Sequence, residues 1–140
     1  MLNPGRSRGF SLIELLLVLA VIGIISAIAI PSFLGQRMRA RVIGDAMSNA
    51  KVLQMGLESL KADSGIYGAA GTYDWAADGS ATTGPTLLPA FQPTGNTKMN
   101  YHLVIAAGGV TYTLDVFDPA HSGARVYGTN QLGQELFRWY

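Results

Sequence analysis

The chain has 140 residues, of which 49% are hydrophobic and only 14% charged, whereas soluble domains typically carry ~25% charged residues. The absence of cysteine excludes disulfide scaffolds, thiolate catalysis and cysteine-built zinc sites. Ten basic and nine acidic residues give a formal charge of +1, so we expect no nucleic acid as a primary partner.

Nearly all of the excess hydrophobicity lies near the start of the chain, from Phe10 to Leu34. No charged residue occurs between Leu15 and Gln36, and a helix drawn over this stretch is apolar on every side. At ~1.5 Å per residue the segment reaches ~37 Å, enough for a ~30 Å hydrocarbon core. A helix that is apolar all round is buried on every side, either in lipid or in a bundle of copies.

The same segment permits a second interpretation, the signal peptide of an exported binding protein or enzyme. Basic residues precede the stretch, and Ala27-Ile28-Ala29 has the A-x-A form of a cleavage site that would leave Ile30 as the mature start. Two features count against this interpretation. The stretch exceeds the usual ~7–15 apolar residues, and Glu14 lies almost at its beginning.

Arginines flank the apolar segment on both sides, so charge alone leaves its membrane orientation undecided. They are Arg6 and Arg8 before the segment and Arg37, Arg39 and Arg41 after it. The second group is expected either to contact anionic headgroups or to form a solvated collar below the rest of the protein.

The residues Gly9-Phe10-Ser11-Leu12-Ile13-Glu14 stand between a short basic leader and an apolar run. This combination resembles the precursors of type IV pilins, over the leader and roughly the first 50 residues after it. The resemblance implies that an inner-membrane prepilin peptidase cuts between Gly9 and Phe10 and that the new Phe10 amine is methylated. It also implies a structural, non-enzymatic subunit, held in the inner membrane before assembly and then part of an extracellular pilus. The pseudopilins of type II secretion share the signature and remain the alternative.

Within a filament of identical subunits, Glu14 is expected to pair with the Phe10 amine of a neighbour and so to specify axial register. A buried carboxylate is tolerable when it is paired, and losing one partner costs ~3–5 kcal/mol. Pro31 removes a helix hydrogen bond, and Gly23 also weakens the helix. We therefore expect a kink or local melting between Gly23 and Pro31. The assembly machinery of a pilus or pseudopilus is the further partner that the resemblance implies.

Beyond the apolar segment, hydrophobic residues recur at helical spacing on one side. They are Met38, Val42, Ala46, Ala50, Leu53, Leu57 and Leu60. Ser64-Gly65 offers a stop for this helix. The predicted organisation is a leader over 1–9, an apolar helix over 10–35, its amphipathic continuation over 36–64 and a head over 65–140, made of a loop at 65–98 and an antiparallel sheet at 99–140.

The head is predicted to contain a hairpin in which strands at 100–105 and 110–116 flank Gly108-Gly109. Two further strands are predicted around Arg125–Gly128 and Glu135–Trp139. The apolar face of this sheet needs a cover, and the one-sided helix supplies it. The predicted fold is therefore α+β, a long N-terminal helix packed on a small antiparallel sheet, as in type IV pilins.

Sequence motifs for catalysis are absent, and no cofactor is expected. His102 and His121 have no helix-spaced metal partner, so each is predicted to be a surface or hydrogen-bonded histidine. Four acidic residues, Asp74, Asp78, Asp115 and Asp118, offer a weaker possibility of a calcium site if the fold brings them together. The aromatic residues are spread through the head, where packing explains them better than a conductive stack does.

Overall fold

The computed structural model describes residues 9–80, 82–95 and 97–139. Residues 1–8 of the predicted leader (1–9) lie outside the described residues. The chain divides into two compact units, the first ending at Met38 and the second beginning at Arg39. The helices are α1 (Leu12–Ser64) and α2 (Gly84–Leu87), with a 3-10 turn at Pro119–His121. The strands are β1 (Gly71–Trp75), β2 (Asn100–Ile105), β3 (Tyr112–Asp118), β4 (Ala124–Asn130) and β5 (Glu135–Arg138).

The first unit contains the apolar part of α1, which is long and apolar enough to cross a membrane. None of its most apolar stretch is buried in the isolated chain. The helix continues through Gly23 and Pro31 without a break. Surface of this kind is stable in water only when something covers it.

The second unit is a five-stranded antiparallel sheet with the strand order β1-β2-β3-β4-β5. One sheet face and one side of α1 form a common core, so the predicted α+β fold is confirmed. The fully buried core residues from the helix and the sheet are Ala46, Ala50, Leu53, Leu57, Leu103, Leu114, Val116 and Val126. Alternation along β2 and β3 places every second side chain in this core.

The predicted apolar stripe of α1 is confirmed in its middle and differs at its ends. Met38 is 58% exposed, and Leu60 only packs against the margin of the core. Two polar residues, Asn49 and Gln54, are buried on the same side of the helix. Each is satisfied by a distant loop or strand, as Asn49 Nδ2 donates to the Thr94 carbonyl at 2.6 Å and Gln54 Nε2 to the Asn130 carbonyl at 3.0 Å.

The predicted hairpin is confirmed as β2 and β3, with Tyr101 opposite Val116 and Leu103 opposite Leu114. Gly108 and Gly109 both have positive φ, 91° and 71°, which is the conformation that such a turn demands.

The segment 65–98, predicted to be a loop, contains one strand and one short helix. In β1, Tyr73 lies opposite Leu103 and Trp75 opposite Tyr101. The strand is only five residues long and begins at a glycine, so its own sequence carries a weak signal. Pairing with β2 holds β1 in the sheet, and the local sequence of β1 does not predict this pairing.

Candidate functional site

The candidate site is the N-terminal stretch around Phe10, where α1 begins. Helical hydrogen bonding starts with the amide of Leu15, which donates to the Ser11 carbonyl at 3.2 Å. Gly9 and Phe10 therefore precede the helix. Phe10 is 81% exposed, and no heavy atom would lie within 4 Å of a Cβ at Gly9. An enzyme that requires an extended and unobstructed substrate backbone can reach this peptide bond.

Glu14 lies in the first turn of α1. A carboxylate is favourable there because the first amides of a helix have no internal partner and carry partial positive charge. It is the sole charge in the sequence between Phe10 and Gln36. The stretch thus presents one acidic group at the end of an otherwise apolar surface. Gly23 and Pro31 lie further along the same surface, inside the helix.

The apolar side chains that follow Glu14 are exposed on every side of the helix. Ile24 and Ile28 are 66% and 74% exposed, and Phe33 is 63% exposed. Burial of such side chains stabilises by ~1.5–3 kcal/mol each. The geometry therefore favours insertion into lipid or association with other apolar helices.

Comparison with known proteins agrees with this geometry. Residues 4–30 match the family model of the prokaryotic N-terminal methylation motif. Over its N-terminal stretch the chain is similar to type IV pilins. It is 43% identical over 65 residues to the type IV major pilin protein PilA of Myxococcus xanthus (strain DK1622). The matched part is 46% of this chain and 29% of that relative, so the chain spans less than a third of the relative's length. No solved structure matches the chain.

Both histidines are hydrogen-bonded, as predicted, and the structure adds that each partner is an aspartate. His102 Nδ1 lies 2.6 Å from Asp74 Oδ1 across the β1–β2 pair. His121 Nδ1 lies 2.7 Å from Asp118 Oδ2, and the other oxygen of Asp118 accepts the amide of Ala120. Each carboxylate holds its imidazole by Nδ1, so both rings have a fixed orientation.

The four aspartates considered for calcium do not converge. Asp74 and Asp118 pair with histidines, and Asp115 accepts a hydrogen bond from Arg125. Asp78 accepts the Ser80 amide at 2.9 Å, and that hydrogen bond lowers the pKa of its carboxyl. Within the residues that the structure describes, no three metal-ligating side chains come together.

The cavities of the head include two neighbouring open ones, of about 380 and 370 Å³. Trp75 lines both, with Phe91 and Lys98 at the first and the His102–Asp74 pair at the second. Sequence analysis missed a further cluster, in which the Arg39 guanidinium lies 5.7 Å from the centre of the Trp139 ring. The two residues are a hundred positions apart, and no local pattern links them.

Proposed function

We propose that the chain is the structural subunit of a type IV pilus, processed by a prepilin peptidase and assembled through its N-terminal apolar helix. The observation that carries this proposal is the lone Glu14 in the first turn of an exposed apolar helix, four residues after Phe10 of the Gly9-Phe10 bond. Before assembly the exposed apolar surface of α1 is covered by membrane lipid. After assembly it is covered by the helices of other subunits in the filament core. In this scheme residues 1–9 are removed, 10–35 form the filament core, 36–64 support the head and 65–140 form the exterior.

Cleavage after Gly9 would create a positive amine on Phe10, one helical turn before Glu14. Within one subunit both groups lie at the same end of the helix. When helices pack side by side with an axial offset, Glu14 of one subunit meets the Phe10 amine of the next. Such a pair specifies register, because a slipped subunit would leave a charge buried without its partner.

The region from Gly23 to Pro31 is proposed to melt or bend on assembly. α1 is continuous there in the single chain. Pro31 nevertheless has no amide hydrogen to donate to the Ala27 carbonyl, and Gly23 lowers helix stability by ~1 kcal/mol relative to alanine. The stretch between them therefore costs less to open than the helix on either side.

N-terminal mass spectrometry of the mature protein tests the processing step. We expect a chain that begins at Phe10 and carries a methylated amine. A mature chain beginning at Ile30 would contradict the proposal and support the exported-protein interpretation. Gly9→Val should leave the uncut precursor in the membrane, whereas Gly5→Val, in the leader but away from the bond, should be processed normally.

The type IV pilus and the type II secretion pseudopilus share the processing step, so a second measurement separates them. Electron microscopy of cells that express the chain should show surface filaments containing it. Processed protein that is confined to the cell envelope, together with loss of protein secretion on deletion, would favour the pseudopilin.

A further inference from the structure

We propose that Arg39, Trp139 and His121 form a headgroup-binding surface, by which the folded head rests on anionic phospholipid before assembly. The proposal rests on the membrane anchoring in the proposed function, and it adds the lipid class and the residues of the head that contact it. Three separate elements meet at this surface: α1, the 3-10 turn and the segment after β5.

The contacts around Trp139 define the surface. The Arg39 guanidinium lies 5.7 Å from the centre of the Trp139 ring, and the His121 ring lies 5.1 Å from it. The Trp139 amide donates to the Val126 carbonyl at 2.8 Å, which fixes the residue to β4. Its ring packs against the margin of the core and is only half-buried. The indole is therefore held in one place with an apolar body and an accessible edge, as at membrane–water interfaces.

The position of Arg39 in the chain puts this surface at headgroup level. Arg39 follows Gln36, the last residue of the uncharged segment, by three residues. In a helix that separation is ~4.5 Å along the axis. The headgroup layer on each side of a ~30 Å hydrocarbon core is ~5–7 Å thick. Three residues of chain reach at most ~11 Å, so if the apolar segment spans the bilayer, Arg39 stays in or next to that layer.

The charge of the side chains around Trp139 indicates which headgroup charge the surface binds. Arg39 and Arg41 are exposed on α1. Among the described residues of the 3-10 turn and β5, the acidic side chains are already paired, because Asp118 bonds to His121 and Glu135 to Arg138. Asp118 is also almost fully buried, with 3% of its side chain exposed. Arg39 and Arg41 have no acidic partner within the part of the chain that the structure describes, and positive charge beside an interfacial tryptophan fits anionic headgroups and is screened by salt.

The experiment uses the full chain in vesicles of phosphatidylcholine whose acyl chains carry bromine near the headgroup. The chain has two tryptophans, and Trp75 is 3% exposed in the head core. We expect brominated lipid to quench the wild-type emission and adding phosphatidylglycerol to increase the quenching. Trp139→Phe, which leaves Trp75 alone, should lose most of the effect. Equal quenching in the wild type and in this variant would overturn the proposal.

Charge variants test the lipid selectivity. Arg39→Gln should raise the phosphatidylglycerol fraction needed for half-maximal quenching about fivefold, the factor expected for one arginine at an anionic surface. Lys51→Gln is the matched control, since Lys51 lies ~18 Å further along the helix, beyond the ~8 Å screening length. An unchanged response in Arg39→Gln, or an equal shift in Lys51→Gln, would contradict the assignment.

Vesicle flotation in alkaline carbonate distinguishes failure of this proposal from failure of the proposed anchoring. A chain that floats with the vesicles while Trp139 stays unquenched overturns the headgroup surface and leaves the anchoring intact. A chain that does not float overturns both. Loss of filaments in Arg39→Gln with unchanged quenching would assign the cluster to a neighbouring subunit and overturn the lipid proposal.

Discussion

The hydroxyl of Tyr67 donates a 2.8 Å hydrogen bond to Glu58 Oε1 and accepts one from Lys61 Nζ at 3.2 Å. The residue is 1% exposed, and its ring packs edge-on against Tyr112 at 4.8 Å. The Tyr67 amide also donates to the Gly109 carbonyl at the tip of the β2–β3 hairpin. This tyrosine therefore joins the last turns of α1 to the sheet, at the end of the helix where the chain turns back.

Removing this hydroxyl should destabilise the head. Tyr67→Phe keeps the ring and loses a hydrogen bond to a charged acceptor, so we expect the free energy of unfolding to fall by about 1–2 kcal/mol. Tyr101→Phe is the matched control. The Tyr101 hydroxyl is buried and has no hydrogen-bond partner among the described residues, so its removal should be neutral or stabilise by up to about 1 kcal/mol. Denaturant unfolding of the full chain in detergent measures both, and equal losses in the two variants would contradict the distinction.

Alkaline pH should unfold the head through its buried tyrosines. Burial raises the pKa of Tyr101 and of Tyr112 to about 12, from the ordinary value of 10.0. The folded state therefore retains protons that the unfolded state loses above about pH 10. The stabilisation is present below that pH and is lost as the pH rises toward 12, at ~1.4 kcal/mol per pH unit for each tyrosine.

The unfolding midpoint at about pH 9 and about pH 11 tests this prediction. The wild type should lose stability between the two pH values, and Tyr101→Phe and Tyr112→Phe should each reduce the loss. The double variant should reduce it further. A loss that is unchanged in the double variant would place the alkaline sensitivity in other groups.

Substitution by alanine should lower the stability of the protein at Gly84 and raise it at Gly44. A Cβ at Gly84 would lie 2.2 Å from the Trp75 indole and 2.7 Å from the Asp74 carbonyl. Gly84→Ala should therefore displace the indole and destabilise the head by ~1–3 kcal/mol. Gly44 is an exposed residue inside α1 with open space around it, so Gly44→Ala should stabilise the helix by ~0.5–1 kcal/mol. Thermal unfolding of the two variants, compared with the wild type, checks the signs.

Local sequence predicts a structural feature correctly when the residues that determine the feature are close together in the chain. Gly9 through Glu14 form one continuous motif, and the β2–β3 hairpin follows from alternation around Gly108-Gly109. The buried stripe of α1 from Val42 to Leu57 follows from helical periodicity alone. Each of these features depends on residues within about four turns of one helix or within a single hairpin.

The features that sequence analysis missed depend on distant partners. Asn49 is polar and is not among the residues of the predicted stripe, yet it is buried because its side-chain amide bonds to Thr94, 45 residues away. Asp74 pairs with His102 only because β1 adds to the sheet beside β2. Arg39 stacks on Trp139 for the same kind of reason. A hydropathy pattern shows which residues are apolar, but it does not predict which polar side chains form hydrogen bonds or ion pairs with each other in the folded protein.

Glu14→Val should separate membrane insertion from filament assembly. A carboxylate inside a membrane costs ~2.5–3.5 kcal/mol at the bilayer centre and less near the interface, so its loss should leave insertion intact or improve it. In the proposed filament the same substitution leaves the Phe10 amine of a neighbour buried without its partner, which costs ~3–5 kcal/mol per contact. We therefore expect normal amounts of membrane protein and at least a tenfold loss of sheared filaments.

Leu17→Val, on the same helix and without charge, is the control and should assemble normally. Filaments in normal yield from Glu14→Val would show that hydrophobic packing alone sets the register, because no other charge lies between Phe10 and Gln36 to replace the carboxylate.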